Sequence, residues 1–155
     1  MVCVNLFGIP LEVYIENGVI LKIDFVERCS KSNKLFENEL KSYWKNGQGA
    51  LKYVLDVNSN LALVYRKTAE IPFGRVISYG GLSEAIFGTK KYARFIGYAM
   101  KKNPLPIIIP CHRVVRSDGT IGGFGGGVKT KGKLLSLEGV QIKNGRIPKS
   151  YFTDL

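Results

Sequence analysis

The chain has one histidine, one tryptophan, two methionines and three cysteines. A structural zinc site needs four converging nitrogen or sulfur ligands. With a single imidazole and no C-x-x-C pair, no metal ligand set can be assembled, so no metal is expected. No uncharged apolar run approaches the ~20 residues that span a bilayer. The N-terminus has no basic leader, and Glu12 and Glu16 interrupt its apolar stretch. A secretory signal is therefore not expected, and the chain reads as soluble and intracellular. Acidic residues are also scarce, 12 against 23 Lys and Arg. Residues 1–60 carry seven of each sign, whereas residues 61–155 carry sixteen basic and five acidic side chains. A one-sign field of that kind attracts polyanions, of which nucleic acid is the usual intracellular one. The 155 residues, 45% hydrophobic, suffice for one domain or two small subdomains around a real core.

Residues 2–7 and 11–26 alternate apolar and polar positions, with a turn at residues 8–10. Asn17-Gly18 between Val13-Tyr14-Ile15 and Val19-Ile20-Leu21 is a hairpin signal. Residues 33–46 switch to helical spacing, placing Leu35, Phe36, Leu40, Tyr43 and Trp44 on one side, and Gly47 closes the helix. A small α/β N-terminal unit, residues 1–55, follows. Residues 47–59 read as a connector, and Asn60 as the cap of a helix reaching Glu70. The spacing predicts a helix over 79–87, capped by Ser78, and a second over 90–102, capped by Thr89 and rich in Lys and Arg. Two short helices across a Gly-containing turn fit a helix-turn-helix at about 79–102. Leu105–Ile109 reads as an extended apolar run, 129–137 as a last helix, and the tail as frayed. The expected fold is an α/β subdomain (antiparallel hairpin sheet plus helix) followed by a mostly helical, winged-helix-like domain over 56–155.

A Cys3–Cys29 disulfide stays open but nothing in the spacing supports it, and buried, inert thiols are the favoured reading for both. Cys111 differs, because its neighbours are polar and basic. A thiol of ordinary pKa ~8.5 needs a base, cations or a helix terminus to become a nucleophile. His112, Arg113 and Arg116 are at hand. In an extended segment neighbours point apart, so a Cys111–His112 link needs a turn or an intervening water. A third group should orient the imidazole, and the acids downstream are Asp118, Glu138 and Asp154. From these residues alone two readings stand: a nucleophile with its base, or a buried thiol beside a satisfied histidine.

The segment Ile109-Pro110-Cys111-His112-Arg113-Val114 resembles the active-site signature of the O6-alkylguanine-DNA alkyltransferases. The resemblance runs over about residues 60–140. It includes Ile71-Pro72-Phe73-Gly74-Arg75-Val76, Ser78-Tyr79, Ala93-Arg94, Gly97, Ala99-Met100, Asn103-Pro104, Leu134-Leu135 and Glu138-Gly139. It implies a protein without cofactor that acts as a monomer in the cytoplasm on alkylated duplex DNA. The helix-turn-helix would enter the minor groove on a recognition helix near 91–101, contacting DNA through Ala93, Arg94, Gly97, Lys90, Lys91 and Lys101. Arg94 would fill the space of an extruded nucleotide, and Tyr79 would help rotate it and donate to guanine N3. Cys111 would take the alkyl group once and irreversibly from O6-alkylguanine, and more weakly from O4-alkylthymine. His112 would serve as base through a water, Glu138 would fix its tautomer, and Asn103 would brace the turn. Met100, Pro106, Val114, Phe124, Gly125 and Gly126 would form the substrate pocket. The chain departs from the pattern at Phe95 and Tyr98, where small residues are usual, and at Gly123-Phe124-Gly125, where Asn-Tyr-Ser is usual. Cys111 argues against a non-catalytic reader of alkylated DNA. A cysteine hydrolase would turn over repeatedly, and a plain nucleic-acid-binding domain would leave Cys111 inert.

Overall fold

The computed structural model describes residues 1–155. Three strands, β1 (Val2–Leu6), β2 (Ile9–Glu16) and β3 (Val19–Phe25), form an antiparallel meander. The period-two pattern buries Val4, Leu6, Leu11 and Val13 on one face, and a bulge at Leu21 in β3 brings Ile20 and Ile23, three residues apart, inward together. Asn17 and Gly18 take φ of 50° and 77°, the paired positive values a two-residue type I′ turn demands. Helix α1 (Lys34–Asn46) is capped by Asn33, whose side chain accepts from the Phe36 amide, and stops at Gly47 in the left-handed region. It lays Leu40 and Trp44 into the core. The connector contributes a short strand, β4 (Lys52–Tyr53), parallel to β3. The sheet order is therefore β1-β2-β3-β4.

Helix α2 (Ser59–Thr68) begins two residues earlier than Asn60 predicts, because Asn58 supplies the capping oxygen to the Leu61 amide. Helix α3 (Tyr79–Phe87) starts on Ser78, which accepts from Gly81, and ends at left-handed Gly88, as expected. The second helix differs from the continuous one expected. It opens as a single 3-10 turn, Lys90–Tyr92, capped by Thr89, and becomes α4 only over Ala93–Lys101. The Ser83 hydroxyl fixes that turn, donating to the Thr89 carbonyl (2.6 Å) and accepting from the Tyr92 amide (3.1 Å). Two-residue strands β5 (Ile77–Ser78) and β6 (Val114–Val115) pair in parallel, α5 (Val128–Leu137) is the last α-helix, and a 3-10 turn follows at Lys149–Tyr151. No helix is long and apolar enough to cross a membrane.

One cluster of buried side chains runs from Val4 and Leu40 through Val64, Leu82 and Ile96 to Leu134, so both halves share a core. A smaller cluster joins Val76, Val115, Leu135, Val140 and Ile147.

Three expectations are corrected. Leu105–Ile109 is not extended: it is a buried, turn-rich loop with Ile107 at φ 76° and a bridge from Pro106 to Ile109. Its apolar composition reflects burial, which periodicity alone cannot separate from strand. Cys3 and Cys29 are not separate thiols but a disulfide, with Cα atoms 5.8 Å apart across 26 residues. The tail is not frayed: the Thr153 amide donates to the Val76 carbonyl (2.9 Å), Val76 donates to Tyr151 (3.0 Å), and Ile147 is buried.

Candidate active site

The peptide after Pro110 does not stay extended. Cys111–Arg113 forms a 3-10 turn at the start of β6, with the Arg113 amide donating to the Pro110 carbonyl at 3.0 Å. This supplies the turn that the extended reading lacked. Asn103 holds the loop behind it: its amide donates to the Ile109 carbonyl (2.9 Å), and its oxygen accepts from the Leu105 amide (2.9 Å). Asn103 thus braces the segment that carries Cys111.

Glu138 caps the C-terminal end of α5, where the helix dipole disfavours an anion. It is stabilised there by donors from four directions. Oε1 lies 2.6 Å from His112 Nε2 and accepts from Trp44 Nε1 (2.7 Å) and Arg113 Nη2 (2.9 Å). Oε2 accepts from the Gly74 amide (2.9 Å) and Arg113 Nε (3.0 Å). Burial alone would raise its pKa, but the His112 and Arg113 hydrogen bonds and charges outweigh that and hold it at about 2. Glu138 is therefore an anion and can only accept. Burial pushes the His112 pKa down against the pull of Glu138, so the imidazole is neutral at neutral pH. Its proton must then sit on Nε2, facing Glu138. Nδ1 is left as a buried lone pair with no partner in the protein. The thiol of Cys111 is pushed up by burial, opposed by Asn103 and the Lys131 cation.

Cys111 is only 5% exposed, yet it lines two cavities. The first, about 340 Å³, is walled by Tyr79, Gly97, Met100, Lys101, Cys111, Gly123, Phe124 and Gly125. The second, about 380 Å³, shares Met100, Phe124 and Gly125 and adds Pro106 and Asn103 together with Ile23, Phe25 and Val26 of the N-terminal unit. Helix α4 forms one wall of the first. Arg94, Gly97 and Lys101 share its outer face by their spacing. Arg94, Lys90, Lys91 and Lys101 are exposed, and Ala93 and Gly97 are partly so. Phe95 turns inward against Phe87 and the core, while Tyr98 is 51% exposed.

Two expected pocket residues stand elsewhere. Gly126 faces Phe25, whose ring carbons come within 2.8 Å of where a Cβ would lie, and it lines neither cavity. Val114 is fully buried, and its carbonyl already accepts from Lys131 Nζ at 2.6 Å. The remaining predicted residues lie around Cys111, around the His112–Glu138 pair, or on α4 and the 3-10 turn that leads into it.

Sequence reasoning missed three partners. Lys131 is 1% exposed, beside the Val114 carbonyl and 3.5 Å from the Tyr79 hydroxyl; burial lowers its pKa to about 8. Its place in a Lys-rich helix hid it among solvated lysines. Arg113 reads as a neighbouring cation but is buried on Glu138, the Ile71 carbonyl (2.7 Å) and the Trp44 carbonyl (3.1 Å). Trp44 carries no sequence signal beyond its helical phase.

A helix-turn-helix whose second helix walls a cavity ending on a thiol defines the class of a nucleic-acid-binding protein with a thiol beside its second helix. The comparisons agree. The DNA-binding domain model of 6-O-methylguanine DNA methyltransferase matches residues 61–140. A methylated-DNA–protein-cysteine methyltransferase of Metallosphaera sedula is 34% identical over 147 residues, 88% of this chain and 90% of that one. The fold superposes on Mycobacterium tuberculosis OGT in complex with DNA with a TM-score of 0.71 at 27% identity, covering 84% of this chain and 87% of that one. It also resembles S. pombe Atl1 bound to damaged DNA containing O6-carboxymethylguanine (TM-score 0.56, 30% identity, 65% of this chain and all of that one). The chain belongs to the methylated-DNA–protein-cysteine methyltransferase family.

Proposed function

We propose that this protein repairs duplex DNA by moving the alkyl group of O6-alkylguanine onto its own Cys111, and more weakly does the same for O4-alkylthymine. The observation that carries the reading is a thiol at the floor of a cavity walled by the second helix of a helix-turn-helix, next to an imidazole set by an ionised, buried carboxylate. The exposed Arg94, Lys90, Lys91 and Lys101 hold the minor groove, and Arg94 takes the place of the flipped nucleotide. Flipping costs a few kcal/mol, less for a weakened pair. The cavity's volume suits a purine.

His112 Nδ1 receives the thiol proton through a water. The sulfur attacks the alkyl carbon in line, the S–C bond forms as the C–O6 bond breaks, and the electron pair returns to the guanine ring. Tyr79, kept protonated by burial and the nearby thiol, donates to N3 and neutralises the leaving base. Lys131 stabilises charge developing on the sulfur and, lying beside the Tyr79 oxygen, leaves that O–H free to donate into the cavity. The Gly125 amide donates to O6, and the second cavity takes the alkyl chain. The thioether product has no leaving group, so each molecule acts once. Residues 1–55 serve as the supporting unit and 56–155 as the reacting one; the protein works as a cytoplasmic monomer without a cofactor.

Incubation with O6-benzylguanine followed by intact-protein mass measurement tests this. One benzyl group per chain, located on Cys111 and absent from Cys111→Ala, is the expected result. Repeated ester turnover, or lesion binding without adduct, overturns the reading.

A further inference from the structure

Resting on that reading, we propose that Trp44 of the N-terminal unit is a positioning residue for the transfer reaction, its indole N–H fixing the Glu138 carboxylate that sets the His112 tautomer. Indole has one donor and no acceptor. Its 2.7 Å hydrogen bond therefore ends on the very oxygen that His112 Nε2 faces at 2.6 Å. Glu138 has no exposed side-chain surface, so no solvent competes for that oxygen.

The indole is itself held in place. Trp44 is 5% exposed on α1, with its ring 5.7 Å from Phe7 and 5.4 Å from Phe73. Its carbonyl accepts from Arg113, which also grips Glu138. The groups facing Glu138 are thus His112, Arg113, the Gly74 amide and Trp44. Of these, Trp44 alone comes from the first 55 residues.

The consequence for reactivity has a definite sign. Each donor on a carboxylate disperses its charge and lowers its basicity. With the indole N–H gone, Glu138 becomes more basic and pulls harder on the Nε2 proton. His112 then holds a second proton to higher pH and is unavailable as base over a wider acid range. The carboxylate also gains freedom to rotate about its Arg113 contacts, which loosens the imidazole.

The test compares the wild-type protein, Trp44→Phe, and a variant carrying benzothienylalanine at position 44, which keeps the bicyclic shape and replaces N–H with sulfur. Single-turnover benzyl transfer from an O6-benzylguanine oligonucleotide is followed by mass across pH 5–9. Thermal midpoints and DNA affinity are measured alongside. The expected result is transfer slower by about tenfold in both variants, with the acid limb of the rate profile moved to higher pH and DNA affinity unchanged. The benzothienyl variant keeps the core filled and serves if Trp44→Phe does not fold. A wild-type rate and acid limb in the benzothienyl variant overturn the proposal and assign Trp44 to packing alone. Absence of any adduct in the wild-type protein instead overturns the transfer reading on which it rests.

Discussion

The two halves of this molecule solve opposite physical problems. The N-terminal unit is charge-balanced, closed by a disulfide, and devotes most of its buried surface to apolar packing, with Glu37 its one buried charge. The C-terminal region carries all the excess positive charge and buries four ionisable side chains, with His112 and Arg113 on Glu138 and Lys131 on the Val114 carbonyl. Each half holds one carboxylate near pKa 2. Glu37 is held there by Lys41 and Ser32, and Glu138 is held there against its own burial by His112 and Arg113. The first ties α1 to the loop before it; the second holds the His112 imidazole, the proposed base. Similar electrostatics therefore anchor a helix in one half and, on the proposed mechanism, set a base in the other, and the Trp44–Glu138 hydrogen bond is one of the contacts that join the halves across their shared core.

Glu138→Gln should separate them most sharply. Transfer should fall at least 100-fold, because the general base loses its partner. Arg113 is left buried without its counter-charge, so stability should fall by about 3–5 kcal/mol. The acid limb of stability should also change. A carboxylate lowered from 4.5 to about 2 contributes stability that is full above pH 4.5 and is lost as pH falls from 4.5 toward 2. Glu37→Gln should remove the corresponding acid limb in the N-terminal unit while leaving the benzyl-transfer rate intact. Denaturant melts at stepped pH, paired with the mass assay, check both. If Glu37→Gln slows transfer as much as Glu138→Gln, the division of labour is wrong.

Lys131→Met should cost less, about tenfold in transfer, since only one stabilising charge is removed. The burial cost of the cation disappears with it. In the wild-type protein, stability should rise with pH from about 8 toward 10.5, because the unfolded chain binds the proton more tightly there. That rise should be reduced in the methionine variant. Cys29→Ser opens the 26-residue loop and should lower stability by about 3 kcal/mol without altering transfer. The smallest effect is expected at Lys101→Ala, where the log–log salt slope of DNA binding should drop by about 0.9 for one lost phosphate contact. An unchanged slope would place Lys101 off the phosphate backbone.

Contiguous features were legible in the amino-acid sequence. The Asn17-Gly18 hairpin, the Ser78 cap and the Cys111-His112 segment each depend on residues a few positions apart, and local chemistry specifies them. Glu138 stood among three candidate acids from the residues alone, and only the family resemblance singled it out from Asp118 and Asp154, since its partners lie up to 94 residues away. Trp44, Lys131 and the Cys3–Cys29 link were not legible, because each gains its meaning from a partner tens of residues away. The Leu105–Ile109 loop shows the same limit from the other side. Its apolar residues are buried as a strand's would be, but the turn around Ile107 is imposed by Asn103 and the core.

With Cys3 and Cys29 joined, Cys111 is the one free thiol in the chain. Alkylation converts it to a species that no thiol reagent recognises. Denaturing a sample without reductant and titrating it with a chromogenic disulfide would therefore read out directly the fraction of molecules not yet spent. The molecule keeps its own ledger of past encounters with damage, legible without radiolabel, antibody or DNA.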